Sequence, residues 1–272
     1  MTIDLASLWD FGKPDESERR FRQALEQATG DDALILQTQI ARAHGLRKDF
    51  EGARAILAQI APEIAAAGPE VKVRHELELG RTYASATHAQ EQQTPETKAL
   101  ARRSYEAALE LARGAGLDDL AIDAIHMLAF VDTAPEDQLK WAQVALAVVE
   151  RSEQPAAKRW EASIRNNLGY ALHQLGRFED ALAQFEQAII IRERGTNVEA
   201  TRVAHWMLAW TLRSLKRIDE ALAIQRRLEA ENDASGTPDA YVFEELEALY
   251  TAKGDVARAQ HYAGRKQNAN AS

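Results

Sequence analysis

Apolar positions along the chain fall into short helical blocks, and the blocks come in pairs. Between Asn166 and Ile189 the residues Leu168, Leu172 and Leu175 form one stripe, and Ala181, Phe185 and Ala188 form a second after a break at Gly176. This spacing predicts a helical hairpin. Its first helix ends at Gly176, where a positive φ costs least without a side chain. Small Gly169 and Ala181 let the two helices approach closely, and Phe185 fills the space beyond.

The same order returns along the chain. A shift of 40 residues brings Leu208, Ala209, Leu212, Ile218 and Ala221 into register, and a further 38 brings Leu246, Tyr250, Gly254, Val256 and Ala259. Toward the N-terminus, Ile40, Ala41, His44, Phe50, Ala53 and Leu57 repeat it. Two copies are irregular. Leu79, Gly80 and Tyr83 are followed by nine extra residues before Ala101, and Leu128 and Ala129 lead into a shortened turn around Pro135. Six hairpins result.

This order resembles the tetratricopeptide repeat. The copy at 166–189 matches it through Leu168, Gly169, Gly176, Ala181, Phe185 and Ala188, with Arg165 where the family signature has a tryptophan. The period of about 40 exceeds the usual 34 and is similar to the longer-helix variants. Running from about Leu34 to Gln260, the resemblance implies an all-α fold: a right-handed α-solenoid of about six stacked hairpins, forming one domain whose first helices line a concave groove. Residues 1–30 are expected to form an N-terminal capping helix or half-repeat, since PDESERRFRQALEQATG has an acidic first turn and a glycine stop. Residues 31–263 form the solenoid, and 264–272 a polar flexible tail.

On a first helix, the face turned away from the packing stripe lines the groove. That offset selects Asn166, Tyr170, His173 and Gln174 in the best copy, and Trp206, Trp210 and Arg213 in the next. In earlier copies it selects Thr38 and Arg42, Arg74 and Arg81, and His126 and Phe130, and in the last copy Tyr241 and Glu244. Partner-binding candidates are therefore Trp206, Trp210, Arg213, Asn166, Tyr170, His173, Gln174, His126, Phe130, Arg42 and Arg81. Trp and Tyr dominate binding hot spots, although large rings also fill inter-repeat cores, and for Trp206 and Trp210 both readings stand. Amide side chains can grip an extended peptide backbone. Arg42, Arg74 and Arg81 suit an acidic partner, but arginines are more often solvated or used in salt bridges.

Composition narrows the class of function. With 272 residues, 46% hydrophobic and 28% charged, the chain has the balance of a soluble helical protein. A net charge of −9 speaks against nucleic acid as a partner. No cysteine is present, no segment has the length and apolarity of a membrane span, and the first residues lack a signal-peptide pattern, so a cytoplasmic protein is expected. HELELG at 75–80 begins like a zinc-protease helix but places Leu79 where the second histidine belongs. No catalytic motif, metal-ligand spacing or cofactor loop is read, so neither enzymatic activity nor a cofactor is expected.

The expected function is a protein–protein interaction module, an adaptor, regulator or scaffold that takes a peptide or helix into the groove. The alternatives are a sensor for a short peptide or small molecule and an enzyme with a composite groove site. The segment 87–96, rich in Gln, Thr and Pro, is expected to be a loop whose deletion leaves the melting temperature within a few degrees.

Overall fold

The computed structural model describes residues 3–271 and contains only helices, turns and loops among them. It has the all-α solenoid fold, divided into two compact units at Trp160 and Glu161. One continuous solenoid domain was the sequence expectation. The division falls at a short extra helix, α9 (Pro155–Lys158), which interrupts the hairpin order.

In the first unit, α1 (Leu5–Leu8) and α2 (Pro14–Leu25) precede three hairpins. These pair α3 (Gly30–Leu46) with α4 (Phe50–Ile64), α5 (Pro69–Arg81) with α6 (Pro95–Ala115), and α7 (Asp118–Val131) with α8 (Pro135–Arg151). The second unit holds three more: α10 (Glu161–Gln174) with α11 (Phe178–Arg192), α12 (Val198–Ser214) with α13 (Ile218–Ser235), and α14 (Ala240–Ala252) with α15 (Val256–Ala271). None of the described helices is long and apolar enough to cross a membrane.

The hairpins close as the small residues require. An added Cβ on Gly169 would lie 2.7 Å from Cε1 of Phe185, and on Gly80 it would lie 2.5 Å from Cε1 of Tyr105. In both cases the ring of the second helix sits directly on the glycine of the first. Phe185, Tyr105, Ala181 and Ala101 are all fully buried. Four of the six first helices are followed by a left-handed residue, Gly176 at φ 73°, Gly254 at 74°, Lys48 at 66° and Lys216 at 62°, whereas α5 and α7 end without one. Lysine tolerates this conformation less well than glycine.

Two expectations change. The chain end from 264 is not a frayed tail, because α15 continues to Ala271, while Ser272 lies outside the described residues. Its basic residues explain the order: Arg265 pairs with Glu229 and Asp233 of α13, Lys266 pairs with Glu247 of α14, and Ala269 packs on the core.

Segment 87–96 is loop up to Pro95, where α6 starts, with one 3₁₀ turn at Gln90–Gln92, but it is not independent of the core. Buried His88 stacks on Phe50 with ring centroids 3.7 Å apart, and its Nδ1 and Nε2 lie within hydrogen-bond reach of Ser85 Oγ and the Thr82 carbonyl. Thr87 donates to the Gly45 carbonyl at 3.3 Å. Deleting 87–96 therefore strips a cover from Phe50 and leaves buried polar groups unpaired. We expect His88→Ala alone to lower the unfolding free energy by about 1–3 kcal/mol. The deletion should lower the melting temperature by clearly more than a few degrees, and a deletion variant melting like wild type in calorimetry would show the packing to be dispensable.

Candidate functional site

The sequence-selected residues separate into two groups, one in each unit. In the second unit the three first helices, α10, α12 and α14, carry a run of aromatic rings. Tyr170 of α10 lies 6.0 Å from Trp210 of α12, Trp210 lies 5.9 Å from Trp206 one turn earlier, and Trp206 meets Tyr241 of α14 edge-on at 6.3 Å. Trp206 donates its indole N–H to the Tyr241 carbonyl at 3.1 Å. Both tryptophans are half-buried, so each ring serves packing and surface at once. The tyrosines at the ends are open: Tyr170 is 37% exposed and Tyr241 69%.

His173 lies beneath this run. Its ring stacks on Trp210 at 3.3 Å between centroids, and Nε2 is 3.0 Å from Ser214 Oγ. Burial and the neighbouring Arg213 push its pKa down to about 4, so at neutral pH it is an uncharged packing ring. Arg213 itself is tied down. Its Nε and a terminal nitrogen each donate to a Glu245 carboxylate oxygen at 2.8 Å, a two-point bridge from α12 to α14 that orients the aromatic helices. Gln174 is exposed and donates to the Tyr170 hydroxyl at 3.4 Å, while Asn166 holds its side-chain oxygen buried without a hydrogen-bond partner.

Next to Trp206 a cavity of about 760 Å³ opens between α12, the end of α13 and the start of α14. Val203, Met207, Leu228 and Val242 line it with Trp206 and Tyr241, and Glu199, Arg202, Asn232 and Asp239 add polar groups. Its size falls within the range of pockets that hold small molecules or anchoring side chains. Val203 is 46% exposed here.

Within the first unit, Arg42, Arg81, His126 and Phe130 do meet, around a smaller cavity of about 170 Å³. The arginines do not present free charge to a partner. Arg81 donates to Glu78 at 2.6 Å and to Asp123 at 2.5 Å, Arg42 lies 3.6 Å from Glu78, and Arg74 pairs with Glu70 at 2.8 Å. Burial opposes the charges on Asp123 and Arg81, yet their attraction wins, holding Asp123 below and Arg81 above the usual values. Arg42 is covered from the other side by the chain's own Trp9 and Phe11, whose ring centroids lie 5.7 and 5.3 Å from its guanidinium carbon. Trp9 donates to buried Gln39 at 3.0 Å and rests on Phe21. His126 is exposed at the rim, its ring 5.9 Å from Trp160, and Phe130 is half-buried.

Glu245, Glu78 and Asp123 escaped the sequence reading, since each stands in a different helix from the arginine it pairs with or on the packed side of its own. Val203 and the cavity beside Trp206 escaped it too, because they depend on how the α13–α14 turn stands away from α12. Among the described residues no group of three or more histidine or carboxylate side chains is arranged to hold a metal ion.

The sequence profile of the tetratricopeptide repeat family matches residues 160–230, the part of the chain that begins the second unit. No curated protein sequence matches the chain. Among solved structures, the chain is similar to a Signal Transduction ATPase with Numerous Domains protein with a tetratricopeptide repeat sensor from Pyrococcus horikoshii. That match has 14% identity and a TM-score of 0.72 over 94% of this chain, which spans 39% of the length of that one. It is also similar to the apo form of RapI, with 13% identity, a TM-score of 0.62, and 99% of this chain and 87% of that one covered. The apo form of the quorum sensor NprR from B. thuringiensis aligns with 11% identity and a TM-score of 0.53, over 96% of this chain and 82% of that one. At these identities the likeness shows the fold.

Proposed function

We propose, for a chain that carries the tetratricopeptide repeat over residues 160–230 and the same fold with degenerate repeats elsewhere, that the second unit is a peptide-binding module. The carrying observation is the run Tyr170, Trp210, Trp206 and Tyr241, held in mutual contact on three helices and open to solvent at both ends. Rings fixed in this way lose little entropy on binding and supply the contact area typical of hot spots. An apolar side chain of the partner enters the cavity beside Trp206, where Val203, Met207 and Val242 receive it. Gln174, exposed at one end of the run, is placed to hydrogen-bond the peptide backbone.

On this reading the protein acts as an adaptor or regulator and performs no catalytic step. The size of the cavity supports a second reading, a sensor whose output lies on another chain, and the quorum sensor NprR shares the fold.

The test is selection of a displayed random peptide library on the full-length protein, followed by affinity measurements on Tyr170→Ala/Tyr241→Ala. Both tyrosines are exposed, so their removal leaves the core intact. We expect enriched peptides to share one large apolar anchor and to bind the double variant at least about tenfold more weakly, the loss of roughly 1.4 kcal/mol or more. Enrichment of no peptide, or equal affinity for both proteins, refutes the assignment.

A further inference from the structure

A second cavity lies on the other side of Arg202, between the end of α11, the first turns of α12, and α13, with a volume of about 300 Å³. Three guanidiniums, Arg192, Arg202 and Arg227, face it together with two carboxylates, Glu193 and Glu231. Glu231 serves two of the cations: Arg202 Nε is 3.5 Å from one carboxylate oxygen and Arg227 Nε 3.6 Å from the other. Glu193 lies 3.2 Å from His205 Nε2. Burial, with Arg227 adding to it, holds the His205 pKa below the ordinary histidine value, so this ring carries no charge at neutral pH.

Arg192 is the odd one out. No carboxylate pairs with it among the described residues, and its Nε is buried with no acceptor. Burial alone pulls its pKa down, with no attraction to offset it. The side chain is half-buried with its Nε cut off from water and no counter-ion beside it, and an anion supplied to the remaining guanidinium nitrogens offsets that cost.

We propose that this cavity binds a monoanionic carboxylate carried on a short aliphatic body, with Arg192 as its counter-ion. The charge balance selects the ligand. Three cations against two carboxylates leave one positive charge to be met, and a single carboxylate meets it. A phosphate dianion brings a second negative charge next to Glu193 and Glu231, where close like charges repel strongly. The planar fork of arginine matches the two oxygens of a carboxylate. The start of α12, a helix of 17 residues, adds partial positive charge to the same side. Val198, 61% exposed, supplies an apolar wall for the aliphatic part.

The test titrates sodium butyrate and, separately, inorganic phosphate into the full-length protein at constant ionic strength, following the arginine Nε and His205 imidazole signals by NMR. Saturable butyrate shifts are expected in wild type, with affinity lower by about tenfold or more in Arg192→Met and retained in part by Arg192→Lys, which keeps the charge but not the fork. Because Arg192 lacks a structural partner, Arg192→Met is expected to melt at or above the wild-type temperature. Tighter binding of phosphate than of butyrate overturns the carboxylate assignment. Shifts that never saturate, or that are equal in wild type and Arg192→Met, overturn the site.

Discussion

Replacing Arg81 with methionine is expected to destabilise the first unit by about 3–5 kcal/mol in chemical denaturation, because it leaves Glu78 and Asp123 buried without their main counter-ion. Methionine keeps much of the apolar volume, so the loss reports the charge. The effect should depend on pH with a definite sign. In wild type, Asp123 has its folded pKa below the unfolded value of 3.8, so its contribution is complete above that value and is lost as the pH falls through the folded one. In Arg81→Met the stranded, buried Asp123 carboxylate is instead easier to protonate than in the unfolded chain. The gap between the two proteins should narrow as the pH falls from neutral toward 4. A gap that stays constant over this range would mean that lost packing, not unpaired charge, is the cause.

Phe185→Ala is expected to cost the second unit about 3–5 kcal/mol, the usual loss for emptying a buried aromatic site. Gly169→Ala approaches the same contact from the other helix and separates two opposing effects. Helix propensity alone favours alanine by about 1 kcal/mol. The new Cβ, however, would stand 2.7 Å from the Phe185 ring, and forcing the helices apart costs about 1–3 kcal/mol, so net destabilisation is expected. The pair should be strongly coupled. In Phe185→Leu the ring is gone, and Gly169→Ala should become neutral or stabilising in the double-mutant cycle. Additive effects would show that the close approach of α10 and α11 does not depend on this contact.

The two experiments probe parts of the structure that were unequally legible in the sequence. Gly169, Ala181 and Phe185 could be read directly because their spacing is local: a helical period, a glycine stop and a second period define the hairpin before any long-range contact is known. The shift of about 40 residues then carried that reading to the degenerate copies. Which rings share a face was legible too, since Tyr170 on one helix and Trp206 and Trp210 on another follow from rotation about each helix, but whether that face is groove or inter-repeat core was not.

What sequence could not supply were the pairings between hairpins. Arg213 with Glu245 and Arg81 with Asp123 depend on the angular setting of one first helix against the next, which periodicity leaves open. The same ignorance left Arg42 and Arg81 among the partner-binding candidates beside the salt-bridge reading that the structure shows. Trp9 and Phe11 belong to a stretch without repeat character, and nothing local in that stretch indicates that they fold over Arg42. The chain end was misread because polarity was taken for disorder, when Arg265 and Lys266 have acidic partners on α13 and α14. His88 was hidden in a similar way: a stretch composed like a solvent loop contains one ring that covers Phe50.

Tyr105 rests on Gly80 as Phe185 rests on Gly169, although in the first of these hairpins the ring follows its glycine at a distance nine residues longer in sequence. Spacing between paired helices is thus set by a contact at mid-length, and the length of the connection is free to vary. Between His88, which packs inward, and Thr94, which caps α6, the residues 89–92 are exposed. That short span is an insertion port: foreign sequence placed there, such as an epitope or a reporter domain, would project from the first unit while the register of α5 against α6 stays fixed.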